Sequence, residues 1–539
     1  MIRTNCLAIT LVFGAPAGLL AASPDCSTLG PGSPLRCLYA PAPDFTTILS
    51  GDFSTGIALA DLNRDGYPDL VVANGYDAAP QMLKVYHHRG AGSDKPFGHF
   101  PDWVSEESGH LMDLAVGDVD GDGWLDVAVA MAFGTSHDLS TGGVAVYRNR
   151  QGRLEPRPSY RTAGGYMATG CALADLDADG DLDLAVAVLV EGSGNFTEDL
   201  SRAGYGRARV YPNGDGALSP FPAWISAEPL GAAQVVAADL DQDGWMDLAF
   251  AAQRTSVFRG RLPTAGGGFP LPPAPDWTSA ERSASSAGID AAPPETGGAD
   301  RSVVPRGEAG LRLAVSVGCV DLDNLLAGQK VQATPGCTSR LLIHRIAAGR
   351  EPVWSSGPLD NASRVRWADL NADGFSDLVA DQWGAAHLAT PTEMGGPLLL
   401  FQGSARGLAE QPAFQSSQQR IGFGLALADV QRRGLAEKRH TFEARGAAAV
   451  VTLPGPAASV AAVERRKEGE SRRLSSREYA TVPGAGWISL SHPLAPGETL
   501  TVTYQTSPVV DIAVAVGNPQ HGSDLYSSRL AVDAVKHSM

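Results

Sequence analysis

The sequence holds no GxSxG elbow, no HExxH, no phosphate-cradling glycine loop and no Cys/His zinc spacing, so the commonest catalytic motifs are missing. Its eleven histidines are scattered. The only doublet, His87-His88, would point to opposite faces of a strand and could not share a metal. Positive charge is short as well: 42 Lys and Arg stand against 59 Asp and Glu, a formal charge of −17, which leaves no nucleic-acid surface to expect. Long apolar runs are missing beyond one, so no transmembrane segment is expected. That run, Cys6 to Leu20, follows Arg3 and precedes the small residues Ala21 and Ala22. It reads as a secretory signal peptide over residues 1–22, and a lipoprotein anchor is not expected, because Cys26 follows Ser23-Pro24-Asp25.

Cysteine is sparse. Five remain after cleavage, and in an oxidising compartment Cys26 with Cys37 and Cys319 with Cys337 are the expected local pairs, free thiols being the alternative. Cys171 lies in a strand-like run and reads as a buried thiol.

Acidic clusters, by contrast, recur in phase. Asp61, Asn63, Asp65 and Asp69 occupy positions 1, 3, 5 and 9 of a loop with Gly66 at position 6 and an apolar run from Leu70 after it. The pattern returns as Asp118, Asp120, Asp122, Asp126; as Asp175, Asp177, Asp179, Asp183; as Asp239, Asp241, Asp243, Asp247; and as Asp369, Asn371, Asp373, Asp377. One copy would pass for an Asp/Gly turn; five in phase call for another cause. Carboxylates about 4 Å apart repel by roughly 1 kcal/mol per pair in water and more at lower dielectric, so a cation must sit among them. Calcium accepts six to eight hard oxygens in flexible geometry and suits this set better than magnesium. These are not EF-hands: position 12 is Val72, Val129 or Val186 instead of Glu, and the flanks read as strands. About five calcium ions are therefore expected, and their charge would bring −17 to −7.

The strand, D-x-[DN]-x-D-G-x-x-D-[LV] loop and second strand resemble the FG-GAP/VCBS repeats of secreted bacterial proteins and the repeats of integrin α-subunit propellers. The resemblance implies a β-propeller with calcium in inter-strand loops and no single activity. Export would supply the calcium, since extracellular modules work at weak affinity.

A second marker counts repeats independently. Proline, any residue, aromatic occurs at Pro43/Phe45, Pro101/Trp103, Pro158/Tyr160, Pro222/Trp224, Pro275/Trp277, Pro352/Trp354 and Pro412/Phe414. Loop starts run 61, 118, 175, 239, 369 and, damaged, 429; the interval of 130 is two periods. The fold expected is all-β, a seven-bladed β-propeller with calcium-binding inter-strand loops and a small β-sandwich inserted in the last blade. Within a repeat, Ile57–Ala60, Leu70–Ala73 and Met82–His87 read as strands, with an outer strand near the Pro-x-aromatic marker. Phe45 precedes the first inner strand, so the N-terminal strand is expected to complete the last blade and remove the sheet edges.

Blade five keeps strands 288–292 and 311–317 but has Pro293, Pro294 and Thr296 to Gly298 where the ligands belong, so its site should be empty. Asp321 and Asp323 follow the second strand and are assigned to the Cys319–Cys337 loop; residues 279–310 and 191–207 read as surface loops. In blade seven Asp429 is followed by Gln431 and Arg433 at positions 3 and 5, and the missing ninth residue reappears as Asp511 in a run matching Pro68-Asp69-Leu70. Between them β-rich runs suggest an Ig-like module. The domains expected are 23–434, the propeller; 435–507, the insertion; and 508–539, completing the last blade. Arg433 could neutralise Asp429 in place of a cation, the alternative being that both face solvent, and Arg465, Arg466, Lys467, Arg472 and Arg473 form a basic hairpin, either solvated or facing an acidic partner.

Two function classes follow. One is an exported monomeric scaffold, without catalysis, for a protein or glycan ligand; the other is an extracellular polysaccharide-active enzyme, lyase-like, with residues gathered from several blades at one mouth of the axial channel.

Overall fold

The computed structural model describes residues 26, 29–47, 51–76, 78–91, 93, 95–195, 203–263, 268–283, 285–292, 312–319, 323, 337–384, 395–516 and 523–529. The leader, the stretch 293–298 in place of the fifth loop, and Asp321 lie outside them.

Strands dominate and pair antiparallel in small radial sheets. In the first unit Ser54–Ala60 pairs Asp69–Asn74, which pairs Gln81–Tyr86, which pairs the start of Trp103–Gly117. That long strand carries on as the innermost strand of the second unit, against Asp126–Phe133, Gly143–Tyr147 and Tyr160–Arg161. The third unit is Tyr166–Ala174, Asp183–Gly192, Arg209–Tyr211 and Trp224–Ile225, and the excursion after residue 191 returns as Ala203–Tyr205 on the far end of its second strand. The fourth is Gln234–Ala238, Asp247–Ala251, Ser256–Phe258 and Trp277–Thr278. The fifth, Ser285–Ala291, Arg312–Gly318, Arg340–Arg345 and Trp354–Ser355, has its first two strands within a few residues of their sequence bounds. The sixth is Ala362–Ala368, Asp377–Gln382, Leu399–Phe401 and Phe414–Gln415. Every Pro-x-aromatic ring thus opens an outermost strand.

The last sheet draws on three parts of the chain. Gly422–Ala428 pairs Asp511–Val516, that strand pairs Asp524–Tyr526, and the outermost place is taken by Phe45–Thr46, with Phe45 opposite Leu525. Thr46 Oγ1 donates to the buried Asp524 Oδ1 at 2.7 Å, fastening the N-terminal strand.

Innermost strands pack on one another in sequence, and Gly422–Ala428 returns to Ser54–Ala60, closing the circle. The molecule is an all-β propeller. Approach near the axis is tight enough to demand glycine: a Cβ on Gly56 would meet Asp113 Cα at 2.9 Å, and one on Gly170 would meet Gln234 Cα at 2.9 Å. Second strands such as Asp69–Asn74 and Asp126–Phe133 are buried along their whole length, so both faces must be apolar except at their ends. A buried guanidinium ties the centre together. Arg364 Nε donates to Phe423 O and Nη1 to Ala287 O, both at 2.9 Å, while Nη2 stands 3.7 Å from Asp113 Oδ2.

Between Ala428 and Asp511 the chain makes two further sheets. Ala436–Glu443, Thr499–Thr506, Ser459–Lys467 and Glu470–Arg473 form one; Ala448–Thr452, Trp487–Leu494 and Tyr479–Ala480 form the other. Val451, Val463, Ile488, Leu500, Val502 and Tyr504 make a separate core between them. Cys26 bonds Cys37, Cys319 bonds Cys337, and Cys171 is a buried free thiol.

Candidate metal centres

Each acidic loop joins an innermost strand to the second strand of its unit, and two backbone kinks shape it. Position 6 is a glycine with φ from +87° to +99° at Gly66, Gly123, Gly180, Gly244 and Gly374. Position 4 is left-handed too, in Arg64, Ala178, Gln242 and Ala372 as well as in Gly121, the only one of the five that a glycine marks in the sequence.

The first and last carboxylates hold the loop. Position 1 accepts the glycine N–H on Oδ2 at 2.8 to 3.1 Å, in Asp61, Asp118, Asp175, Asp239 and Asp369. Position 9 is wholly buried in all five copies. Its Oδ2 accepts the N–H of position 2, and its Oδ1 accepts an N–H just past the third strand: His88 for Asp69, Asn149 for Asp126, Asn213 for Asp183, Gly260 for Asp247 and Gly403 for Asp377. This residue pins three strands of its blade as well as facing the loop. Position 5 turns one oxygen back to the N–H of position 7 in each copy.

Several oxygens are left over. Asp118 Oδ1, Asp120 Oδ1 and Asp177 Oδ1 are buried with no hydrogen-bond donor. Three sets of carboxylate oxygens lie within 4.8 Å of one another: Asp118, Asp120, Asp122; Asp175, Asp177, Asp183; and Asp239, Asp241, Asp247. Burial first, then the neighbouring charges, raises these acids: Asp118 and Asp179 to about 6, Asp126, Asp175 and Asp239 to about 7, Asp247 to about 8. Burial likewise raises Asp61 and Asp177, takes Asp369 to about 6 and Asp377 to about 8, and lifts Asp183 well above its usual range. An all-oxygen donor set with orphaned buried carboxylate oxygens fits a hard divalent cation.

The copies differ in what else touches them. At the second loop Arg150 Nη1 is 3.0 Å from Asp120 and 3.6 Å from Asp122; at the fourth, Arg259 Nε is 3.2 Å from Asp241. At the first, His87 Nδ1 is 3.2 Å from Asp69. In the loop from Asp369, Asn371 turns its amide NH₂ to Asp373 Oδ2 at 3.0 Å. The third loop has no ion pair among the described residues.

Neighbouring loops also touch. The Arg64 guanidinium donates to Gly123 O and lies 4.2 Å over the Trp124 ring; Arg432 lies 5.5 Å over Tyr67. In the damaged loop Asp429 keeps the position-1 bonds, accepting from Arg433 N at 2.9 Å and Gly434 N at 2.7 Å. The Arg433 guanidinium, read from the sequence as a counter-charge for Asp429, instead pairs with Asp511, because Ser507 Oγ already donates to Asp429 Oδ2 at 2.7 Å. The basic hairpin is partly spent within the segment: Arg465 pairs Glu498 and Arg472 pairs Glu478.

The family model described as an FG-GAP-like repeat matches residues 61–129, 131–186 and 194–250. No curated protein matches the chain. Solved structures similar to it include BBS1N in complex with ARL6DN soaked with lead, 11% identical over 72% of this chain and 87% of that one at a TM-score of 0.40. The mercury-soaked form of that complex is 12% identical over 86% and 94%, at 0.37, and the Dos1 propeller is 10% identical over 90% and 94%, at 0.38. The chain thus carries FG-GAP-like repeats, matched three times over loops of this geometry.

Proposed function

We propose that this chain is an exported, seven-bladed propeller that carries calcium in five of its loops and presents a rigid surface to a protein or glycan ligand. Residues 1–22 are its leader, 23–434 and 508–539 the propeller, and 435–507 a β-sandwich inserted in the last blade. The observation that carries the reading is the double use of the loops: in all five the carboxylates bind the blade's own N–H groups, and in the second, third and fourth three carboxylate oxygens also lie within 4.8 Å of one another. Such a loop spends an ion on stiffness. Two disulfides fit an oxidising compartment, where calcium is plentiful. No helix among the described residues is long and apolar enough to cross a membrane.

The ligand surface is assigned to the mouth opposite the loops. There Tyr76, His110, His137, Trp383 and Phe423 come from four blades: the Tyr76 and Phe423 rings are tilted by 39° with centroids 4.6 Å apart, the Trp383 ring centroid lies 5.7 Å from that of Phe423, and His110 Nδ1 is 2.7 Å from Tyr76 O. Tyr76, His137 and Trp383 are half-buried above the buried His110 and Phe423, and their flat faces with polar rims suit sugar rings or a peptide. A polysaccharide-active enzyme would draw on the same mouth, where His110 and His137 stand 4.5 Å apart. A glycan array beside a polysaccharide-degradation screen, each with calcium and with chelator, tests the assignment. Binding without product release, weakened by Trp383→Ala, supports the scaffold; soluble fragments overturn it in favour of the enzyme.

A further inference from the structure

The inserted module lies against the loop face of the propeller, and it meets two loops there. Ser489, wholly buried on the strand Trp487–Leu494, donates Oγ–H to Asp175 Oδ2 at 2.8 Å. Asp175 is position 1 of the third loop, and the same oxygen accepts Gly180 N at 3.1 Å. On the fourth loop Ala449 and Val450 both donate their N–H to Gly244 O at 2.9 Å. A Cβ on Gly180 would lie 2.6 Å from Ser491 Cβ, and one on Gly244 2.7 Å from Ala448 Cβ, so these two glycines admit the module as well as making the turn. Val450, Ala480 and Trp487 complete the contact by joining the apolar cluster of Leu176, Leu182 and Met246. Where the first and second loops are covered by a neighbour's arginine, the third and fourth are covered by this module.

We infer that Ser489 makes the inserted module part of the third cation site, so that ion binding at the third and fourth loops and docking of the module are coupled. The inference rests on the calcium reading above. An ion held by Asp175, Asp177 and Asp183 fixes the first carboxylate, and an outer hydrogen-bond donor then keeps its orientation. Without the ion, three acids within 4.8 Å repel, and the loop that presents Asp175 Oδ2 and Gly180 to the module relaxes. Linkage is reciprocal: whatever the ion contributes to docking, docking contributes to ion affinity.

The test uses the intact chain. Hydrogen exchange is followed in segments 448–452 and 487–494 with calcium and with chelator, beside a calcium titration of the wild type and of Ser489→Ala. Ion removal is expected to speed exchange in both segments well before strand Leu399–Phe401 responds. Ser489→Ala is expected to weaken the third site by about tenfold, the fourth by less through the shared module, and leave the other three unchanged. Unchanged exchange in a chain that demonstrably gains and loses ions overturns the coupling while leaving the calcium reading intact. A chain that binds no ion overturns both. If Ser489→Ala fails to fold, exchange in the wild-type chain decides alone.

Discussion

Val430 donates its N–H to Asp511 Oδ2 at 3.0 Å across 81 residues of sequence, the bond that Leu62 makes to Asp69 across seven. Asp511 Oδ1 in turn accepts Ser528 N at 2.8 Å, as Asp69 Oδ1 accepts His88. The last loop has therefore kept its two anchoring aspartates and given up positions 3 and 5, and a guanidinium stands beside Asp511 where the other loops gather carboxylates.

Arg433→Ala should consequently destabilise the protein by about 3 kcal/mol, because it strands the buried Asp511 carboxylate without its counter-charge. Calcium should not rescue it. Chemical denaturation with and without calcium checks both points. Replacing both residues, Gln431→Asp with Arg433→Asp, restores the motif and should add one ion to the count.

Closure depends on the N-terminal strand. Thr46→Val removes the hydroxyl that donates to buried Asp524, leaving Arg420 Nε at 3.5 Å as its cation. A loss of about 1–3 kcal/mol is expected on denaturation, the cost of a missing hydrogen bond to a buried charged group. Ion binding at the five loops should be unaffected.

The response to pH should reverse with ion content. In chelator, Asp247 and Asp377, lifted by burial to about 8, hold protons in the folded state that the unfolded chain has already released, so stability rises as pH falls from about 8 toward 4. His344, lowered by burial to about 4, works the other way below pH 6.5, with one proton against those of many carboxylates. With calcium bound, protons compete with the ion and acidification should lower the melting temperature. Melting curves across pH in both conditions show the change of sign.

Much of this was legible because it repeats. The aspartate spacing located each loop, and the aromatics from Phe45 to Phe414 each marked an outermost strand, since that strand must pack a large ring under the blade. Asp511 could be found because its flank copies that of Asp69. Contacts between distant segments left no such trace. Nothing in the sequence joins Ser489 to Asp175, 314 residues apart, and a serine in an alternating strand reads as one of its polar positions. Arg64 and Arg432 sit at position 4 of their loops, but their reach to the next loop follows from a left-handed backbone that an arginine does not announce.

The calcium content of the purified, intact chain is the most direct test. Elemental analysis after equilibrium dialysis against millimolar calcium, corrected for the dialysate, should give about five ions per chain, with one lost in Asp183→Ala and stability raised by about 2.7 kcal/mol per site at a hundredfold excess over Kd. A chain that holds no calcium and melts at the same temperature in chelator would contradict the account.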